Sequence, residues 1–376
     1  MEAAIHRAQD RIFTDQFTPW KFHLRNSDFE PSPSAPKTYI NSVTVQQNAT
    51  DPVNVHKPLA GAVDESYTLS ISIDGHVSIT SVSSIGILYA LETFTQLFYQ
   101  RSGNAGVYTP YAPVAIVDTP KFPHRGLNLD VARNYYSPSD IMRTLDALSW
   151  NKFNRLHLHL TDAQSWPVDI PALPELSSKG AYMKGLSYSP QVLAGILQYG
   201  TDRGVEVNIE FDMPGHTSSI GLSHPELITA FNVQPDWSTY SAEPPSGQLK
   251  LNDSAVYAFL DKLWADFLPR VYPYSAYFHT GGDEVNANAY LLDEGVRSNV
   301  SSVLQPLLQR FLDHNHAKVR AAGLTPMVWE EQLLQWNLTL GSDVVVQTWQ
   351  SDEAVAQTVG KGHAALAGNY KYWVSP

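Results

Sequence analysis

Short apolar strands alternate with helical segments from residue 125 to the end of the chain, and this alternation constrains the fold more than any other feature. The predicted strands are residues 125–131, 155–160, 205–211, 277–280, 325–329, 344–348 and 364–367. The predicted helices are residues 138–150, 190–203, 254–267, 303–322 and 351–359. Repeated strand–helix units of this length predict an α/β fold with a parallel (β/α)8 barrel of the TIM type. A closed barrel needs eight strands, so seven predict a barrel that is incomplete at its C-terminus.

A different pattern precedes this alternation. A helical stretch at residues 3–13 is followed by alternating apolar runs at 39–45, 67–73 and 76–80 and by a second helical stretch at 85–99. Asp74-Gly75 between the last two runs predicts a β-hairpin. Four prolines between residues 110 and 123 then mark a boundary. We therefore expect a small α+β domain with its leading segment at residues 1–115, and the barrel at residues 116–376.

Composition limits the classes of partner. The chain is 43% apolar and contains 19 tyrosines and 9 tryptophans, enough for a sizeable core and an aromatic-lined cleft. A formal charge of −12 without clustered Lys and Arg argues against nucleic acid. Apolar runs are too short to cross a bilayer, which argues against a membrane partner.

Four Asn-x-Ser/Thr sequons favour a secretory route, although each is a weak signal alone. They are Asn48, Asn252, Asn299 and Asn337. The first residues lack the basic-then-apolar order of a signal peptide, so we expect that such a peptide is missing from this chain. The absence of cysteine is neutral, because large cores do not need disulfides. The expected location is extracellular or vacuolar.

Residues 277–286 contain an aromatic run, Gly281-Gly282, and then Asp283 and Glu284 side by side. Two adjacent anions in a cleft cannot both ionise freely, so one should hold a proton near neutral pH and serve as a general acid. Asp-Glu after a Gly-Gly turn also occurs on solvated loops and in helix first turns. This stretch alone therefore leaves both interpretations open.

Polar residues follow most of the predicted barrel strands, where the reacting groups of such barrels lie. They are Arg133, Asp162, Asp212, His216, Asp283, Glu284, Trp329, Glu330 and Trp349. Separately, Asp162 could cap the next segment, His216 could be a turn residue, and Trp329 could belong to the core. Together they predict one functional site at the carboxyl ends of the barrel strands.

A metal site is not expected. His157 and His159 lie two apart on one strand, without cysteine and without a His-x-x-x-His helix. Both are expected in the core or the cleft wall, and no cofactor is predicted.

Four motifs, in this combination and order, resemble the β-N-acetylhexosaminidases of glycoside hydrolase family 20. They are RGLNLDVAR at 125–133, LHLHLTD at 156–162, DMPGH at 212–216 and HTGGDE at 279–284. PWKFH at 19–23 and the α+β module after it resemble fungal members, and the likeness runs from near residue 17 to about residue 372.

The resemblance implies release of terminal β-linked N-acetylglucosamine or N-acetylgalactosamine from chitin fragments or glycans, with retention and with help from the substrate. It implies an N-terminal domain of the zincin-like, chitobiase type, a small carbohydrate partner, no cofactor, and room for a homodimer. A direct double displacement wants two carboxyls about 5 Å apart on opposite faces of the sugar. Sequence neighbours cannot easily straddle a ring, which favours attack by the acetamide oxygen of the substrate.

By similarity, Glu284 is the general acid and later the base, and Asp283 holds the acetamide N–H and stabilises the oxazolinium intermediate. Asp162 and His216 form a relay behind Glu284. The resemblance also implies substrate-binding residues, namely Arg133 for sugar hydroxyls, Trp329 and Trp349 as walls of the acetamide pocket, and Tyr370.

The chain departs from the family pattern at two places. Ala163 replaces a second acid after Asp162, and Val374 stands where the family has the tyrosine that bonds the acetamide oxygen. From its ends we expect a truncated or mis-spliced product with poor stability and low or absent activity. Two alternatives to an active exo-enzyme stay open, a silent sugar-binding remnant of this fold and a barrel glycosidase with two opposed acids.

Overall fold

The computed structural model describes residues 1–17, 24, 26, 30–32, 34–103 and 106–368. Two compact units can be distinguished. The first contains Met1–Arg125, Leu145–Asn154 and Gly200–Val205, and the second contains the remaining residues of Gly126–Pro376.

The first unit has a four-stranded sheet in the order β1-β3-β2-β6. Its elements are α1 (Glu2–Asp10), β1 (Ser42–Gln47), β2 (Tyr67–Ile71), β3 (His76–Ser81), α2 (Ser84–Gln96), β4 (Tyr99–Gln100), β5 (Val107–Tyr108) and β6 (Val114–Asp118). A π-helical turn at Arg11–Asp15 continues α1, and β4 and β5 form a separate antiparallel pair. Alternate residues of β2 and β3 are buried, and they share a core with the apolar side chains of α2. This is the amphipathic pairing expected of a sheet covered on one face.

The predicted hairpin is confirmed, because β2 and β3 pair antiparallel around Asp74-Gly75. Gly75 has a φ of +86°, and a Cβ there would lie 1.9 Å from the carbonyl oxygen of Tyr39, so only glycine fits. Strand β6 was not predicted, since the prolines on both sides of it were interpreted as a domain boundary. It spans residues 114–118, so the sheet continues past residue 115.

Up to residue 368, the second unit contains seven parallel strands in the order β15-β14-β13-β12-β9-β8-β7, so the predicted parallel strands of a (β/α) barrel are confirmed. The strands are β7 (Gly126–Asp130), β8 (Arg155–Thr161), β9 (Glu206–Phe211), β12 (Tyr277–His279), β13 (Thr325–Trp329), β14 (Val345–Thr348) and β15 (Ala364–Ala367). A two-stranded pair, β10 (Ile228–Thr229) and β11 (Gln248–Leu249), lies outside this sheet. Every residue of β8 and β9 is buried, as expected for parallel strands covered on both faces.

Helices separate the strands. They are α3 (Pro138–Trp150), α4 (Glu175–Gly180), α5 (Pro190–Thr201), α6 (Ser218–Gly221), α7 (Ser254–Val271), α8 (Ser301–Ala321), α9 (Glu330–Leu334) and α10 (Asp352–Gly360). Asp253 and Ser351 cap α7 and α10 by accepting backbone N–H groups. Within the described ranges, no helix is long and apolar enough to cross a bilayer.

Candidate active site

The turn after β12 holds Asp283 and Glu284 in place. Gly281 and Gly282 have φ values of +66° and +101°. A Cβ on Gly281 would lie 1.9 Å from Asp212 Oδ1, and one on Gly282 would lie 2.6 Å from the side-chain nitrogen of Gln332. The Gly282 N–H donates to Asp212 Oδ1 over 2.8 Å, and the Gln332 amide donates to the Gly282 carbonyl. The two glycines therefore let the backbone pass close to neighbours that fix the turn.

Glu284 and His216 meet at the mouth of the site. His216 Nε2 lies 3.2 Å from Glu284 Oε2 and 3.8 Å from Asp283 Oδ2. Glu284 and His216 have φ values of +48° and +52°, a region that costs a non-glycine residue roughly 1–3 kcal/mol. The Glu284 side chain stays 29% exposed, so a substrate can reach it.

Asp162 lies directly behind His216. Its carboxylate is fully buried, with Oδ1 3.1 Å from His216 Nδ1 and Oδ2 2.8 Å from His159 Nε2 and 3.0 Å from an Arg133 Nη. Burial favours the neutral acid, but His216 and His159 outweigh it and hold the pKa of Asp162 well below its ordinary value.

The protonation of His216 follows from the acids around it. Burial opposes its charge, yet Asp162, Asp283 and Asp212 together raise the pKa of His216 well above its ordinary value. His216 is therefore an imidazolium between Asp162 and Glu284. The structure brings together Asp162, His216 and Glu284, all of which the sequence proposed as site residues.

Asp283 pairs with Asp212, which the sequence placed at the end of its strand without a role. Burial, and then the neighbouring Asp212 carboxylate, raise the pKa of Asp283 well above its ordinary value. Burial raises the pKa of Asp212 to about 6, against the opposing effect of His216. The pKa values of both neighbouring carboxyls are thus raised, and the charge on Asp212 disfavours ionisation of Asp283.

Arg133 contacts three acids. It donates to Asp130 Oδ2 over 2.7 Å and to the two Glu243 oxygens over 2.8 and 3.1 Å, and it lies against Asp162. Burial opposes the charge, but Asp162, Asp130 and Glu243 raise the pKa of Arg133 above its ordinary value. Glu243 was missed by the sequence reasoning, because it lies in an irregular proline-rich segment without a motif to connect it to Arg133.

A shallow recess opens beside the acid–base residues. It is lined by Ala163, His216, Ser241, Ala242, Glu243, Pro245, Gly247, Gln248 and Glu284. Ala163, where the family pattern has a second acid, thus forms part of its wall.

The two tryptophans differ in burial. Trp329 is 4% exposed, and its indole N–H donates to Glu210 Oε1 over 2.7 Å. Trp349 is half-buried and donates to Glu331 Oε1 over 2.9 Å. Burial, and then Asp283, raise the pKa of Glu331 to about 8. Tyr370, the remaining predicted binding residue, lies outside the described residues.

Buried histidines surround Glu210. His157 and His159 are both 5% exposed, and each lies 2.7 Å from Glu210 Oε2. His157, Glu210 and His279 present atoms within 4.8 Å of one another, a spacing that a metal ion can accept. His157 Nε2 already contacts Glu210 Oε2 at 2.7 Å, and His279 Nδ1 already accepts the Gly281 N–H, so these atoms have protein partners. Alternation along β8 could have indicated that both histidines face inward, but not their partner on β9.

Comparisons with known protein families and proteins identify relatives of this chain. Residues 122–374 match "Glycosyl hydrolase family 20, catalytic domain", and residues 1–97 match "beta-acetyl hexosaminidase like". A "Beta-hexosaminidase" of Arthroderma benhamiae is 45% identical over 99% of this chain and 63% of its own length. "Beta-hexosaminidase subunit A1" of Dictyostelium discoideum is 29% identical over 97% of this chain and 65% of its own length.

Among solved structures, a chitobiase from Flavobacterium johnsoniae superposes with a TM-score of 0.70 and 28% identity, covering 86% of this chain and 48% of that one. The chain thus spans less than two thirds of the length of each of these relatives.

Proposed function

The chain belongs to glycosyl hydrolase family 20, and from that premise we propose that it hydrolyses terminal, non-reducing N-acetyl-β-D-hexosamine residues with retention and substrate assistance. The observation that carries this proposal is the contact of His216 Nε2 with Glu284 Oε2 at 3.2 Å, beside the half-buried Asp283. The site offers one partly exposed acid, a cation behind it, and a second acid whose pKa is raised.

In the proposed first step, the acetamide oxygen of the substrate attacks the anomeric carbon. The glycosidic C–O bond breaks as Glu284 donates its proton to the departing oxygen, leaving a cyclic oxazolinium. The His216 imidazolium then stabilises the Glu284 carboxylate. In the second step, water attacks the anomeric carbon from the face of the departed group and gives its proton to Glu284, so the N-acetyl group re-forms and the β configuration is kept.

Asp283 is proposed to hold the acetamide N–H and to face the charge that develops on the oxazolinium. It opposes the oxazolinium charge with a negative charge of its own only as a carboxylate, so its proton has to leave. Asp212, which interacts directly with it, is the acceptor suited to take this proton. A second nucleophilic carboxylate on the opposite sugar face is not required, because the substrate supplies the nucleophile.

Binding roles are proposed from the resemblance. Arg133 would hold sugar hydroxyls, with its orientation fixed by Glu243 and Asp130. Trp349 and Trp329 would form the acetamide pocket, with Trp349 oriented by Glu331.

Turnover of a chromogenic N-acetyl-β-glucosaminide and its galacto epimer tests the function, with the matching β-glucoside that lacks the amide as control. We expect cleavage of the amide substrates alone, a β-configured first product, and inhibition by a thiazoline mimic of the cyclised acetamide. Equal cleavage of the β-glucoside, or a product of inverted configuration, would contradict the mechanism. Binding without turnover would favour the silent sugar-binding alternative.

Chitin fragments are the proposed natural substrate, supported by the likeness to a protein named chitobiase. Release of monomer from chitobiose and longer oligomers, followed by chromatography, tests this proposal. A preference for glycan termini over chitobiose would contradict it.

A secreted or vacuolar glycoprotein is proposed from the four sequon asparagines, all of which are exposed. Mass spectrometry of the protein from a eukaryotic host, before and after glycan removal, tests this. Unmodified asparagines would contradict it.

A homodimer is proposed by analogy with a relative named as a subunit. Light scattering measures the mass directly, and a single mass of about one chain would contradict it.

A further inference from the structure

The hydrogen-bonded line behind Glu284 continues into the barrel beyond Asp162. Asp162 Oδ2 lies 2.8 Å from His159 Nε2, and the other ring nitrogen of His159 lies 2.7 Å from Glu210 Oε2. Five side chains from three segments, Glu284, His216, Asp162, His159 and Glu210, thus alternate acid and imidazole. The proposed function uses the first three, and nothing in it uses His159 or Glu210.

The partners of His159 determine its protonation. An ionised carboxylate only accepts hydrogen bonds, so a ring held between two carboxylates has to donate from both nitrogens. Asp162 and Glu210 are both fully buried, and each faces more than one donor. His159 therefore satisfies both acids only as an imidazolium.

Glu210 has hydrogen-bond partners besides His159, namely Trp329 and His157. Trp329 Nε1 donates to its Oε1 over 2.7 Å, and His157 Nε2 lies 2.7 Å from its Oε2. His279 Nδ1 lies 3.3 Å from Oε1, but this nitrogen already accepts the Gly281 N–H. Burial favours the neutral acid, but His159 and the other two histidines hold the pKa of Glu210 well below its ordinary value.

The charged and titratable groups around the line come from several elements. Those facing His159 or Glu210 are Asp162, Asp212, His157, His279 and Asp283. Those facing Asp162 or His216 are Arg133, Asp212, Asp283, Glu243 and Glu284. Of the cations, Arg133 and His159 both contact Asp162 Oδ2, whereas His216 contacts Oδ1.

We propose that Glu210 and His159 are positioning residues for the acid–base chain: Glu210 holds His159 as an imidazolium, and that cation keeps Asp162 ionised so that Asp162 can hold His216 against Glu284. This inference rests on the proposed function, because the acid–base chain is what the pair supports. Both residues are buried, so each acts through Asp162 and His216.

Glu210→Gln separates charge from shape. The Gln amide nitrogen can donate to both His159 and His157 in their neutral forms, and its oxygen can accept from Trp329, so the hydrogen bonds are kept while the charge is lost. His159 then becomes neutral, and the pKa of Asp162 rises. Because the acid–base chain loses a buried cation that favours its ionised carboxylates, we expect the acidic limb of kcat/KM to move up by on the order of one pH unit, with KM at the optimum little changed.

Glu206→Gln is the matched control. Glu206 is a buried acid on the same strand, paired with Arg155 and Ser275, and it lies roughly 13 Å along β9 from Glu210. We expect its acidic limb to stay at the wild-type pH. An unmoved limb in Glu210→Gln, or an equal shift in Glu206→Gln, would overturn the proposal.

A second measurement does not depend on activity. In histidine-labelled wild-type protein at pH 7, the 15N shifts of His159, assigned through its backbone, should be those of an imidazolium. A neutral His159 ring would overturn the inference whether or not the protein turns over sugar, and whether or not Glu210→Gln folds. Absence of turnover in wild-type protein with a cationic His159 would instead count against the proposed function alone.

Discussion

The polar cluster of the first unit and the active-site cluster of the second unit contain similar side chains but differ in charge. The first cluster has equal numbers of acidic and basic groups, whereas the second has an excess of acidic groups. In the first unit, Arg125 donates to both Glu65 oxygens over 2.9 and 3.0 Å, and Asn154 and Tyr89 complete the set. One carboxylate, that of Glu65, thus faces one guanidinium cation, that of Arg125. In the second unit, four acids lie around His216, namely Asp162, Asp212, Asp283 and Glu284.

This difference explains why only one cluster is suited to acid–base chemistry. A balanced pair leaves no proton to share, so it contributes structure. Where buried acids outnumber cations, at least one has to hold a proton, and its pKa moves toward neutrality. The left-handed backbone at Glu284 and His216 occurs in the second cluster.

The largest expected effect comes from removing the acid of the second cluster. Glu284→Gln keeps the shape but cannot transfer a proton, so we expect kcat to fall on the order of 10³-fold with an unchanged melting temperature. Glu65→Gln makes the same chemical change in the balanced cluster and should leave kcat at the wild-type value. A comparable loss of kcat in both variants would contradict the conclusion that only the second cluster is suited to acid–base chemistry.

The next largest effect tests the turn that presents the acids. Gly281→Ala places a methyl group against Asp212 in a left-handed conformation, so we expect kcat to fall on the order of 10²-fold or more, and the melting temperature to drop. Gly195→Ala, in α5 with open space around its Cα, should be neutral or slightly stabilising. Activity and thermal melts measure both, and a wild-type rate in Gly281→Ala would show that the turn tolerates movement.

A smaller effect concerns stability against pH. Burial raises the folded pKa of Asp212 to about 6 from an ordinary value of 3.8, so the folded state binds its proton more tightly than the unfolded state does. The contribution is therefore most favourable at low pH and is lost as pH rises from about 4 through 6. Asp212→Asn removes this loss and should stabilise the fold at pH 7 by roughly 1–3 kcal/mol.

Denaturant melts at pH 3.5 and pH 7 test this prediction. The two proteins should differ least at the lower pH, where Asp212 is neutral in the folded state and mostly neutral in the unfolded state. Equal stabilities at pH 7 would mean that Asp212 is not penalised by burial.

The smallest effect is expected for a partly exposed ion pair of the first unit. Lys152 Nζ lies 2.9 Å from Asp118 Oδ2, but the Asp118 side chain is 42% exposed, so solvent screens the pair. Lys152→Met should change the free energy of unfolding by about 0–1 kcal/mol and leave kcat unchanged. A loss of several kcal/mol would show that the first unit also depends on charge pairing.

Much of the fold could be predicted from periodicity. The strands at 325–329 and 364–367 and the helix at 138–150 were predicted with the bounds that the structure has. Strand β6 was missed because prolines flank it, and prolines also punctuate linkers. The parallel pairing of β1 with β3 was missed because pairing across an intervening strand has no local signal.

At the site, the sequence identified residues that follow strands, because parallel strands end at one edge of a sheet. It did not identify Glu243 as the partner of Arg133, or Glu210 as the partner of His159. These pairs lie 110 and 51 residues apart along the chain, and a single sequence carries no signal of such contacts.

The sequence by itself determined the strand–helix order, the acidic pair after two glycines and the membership of a family, since these depend on local pattern and motif. Only the tertiary structure decided which acid holds a proton, which histidine is a cation and which arginine is already paired. Protonation depends on burial and on charges a few ångströms away, and folding brings those charges together from distant parts of the chain.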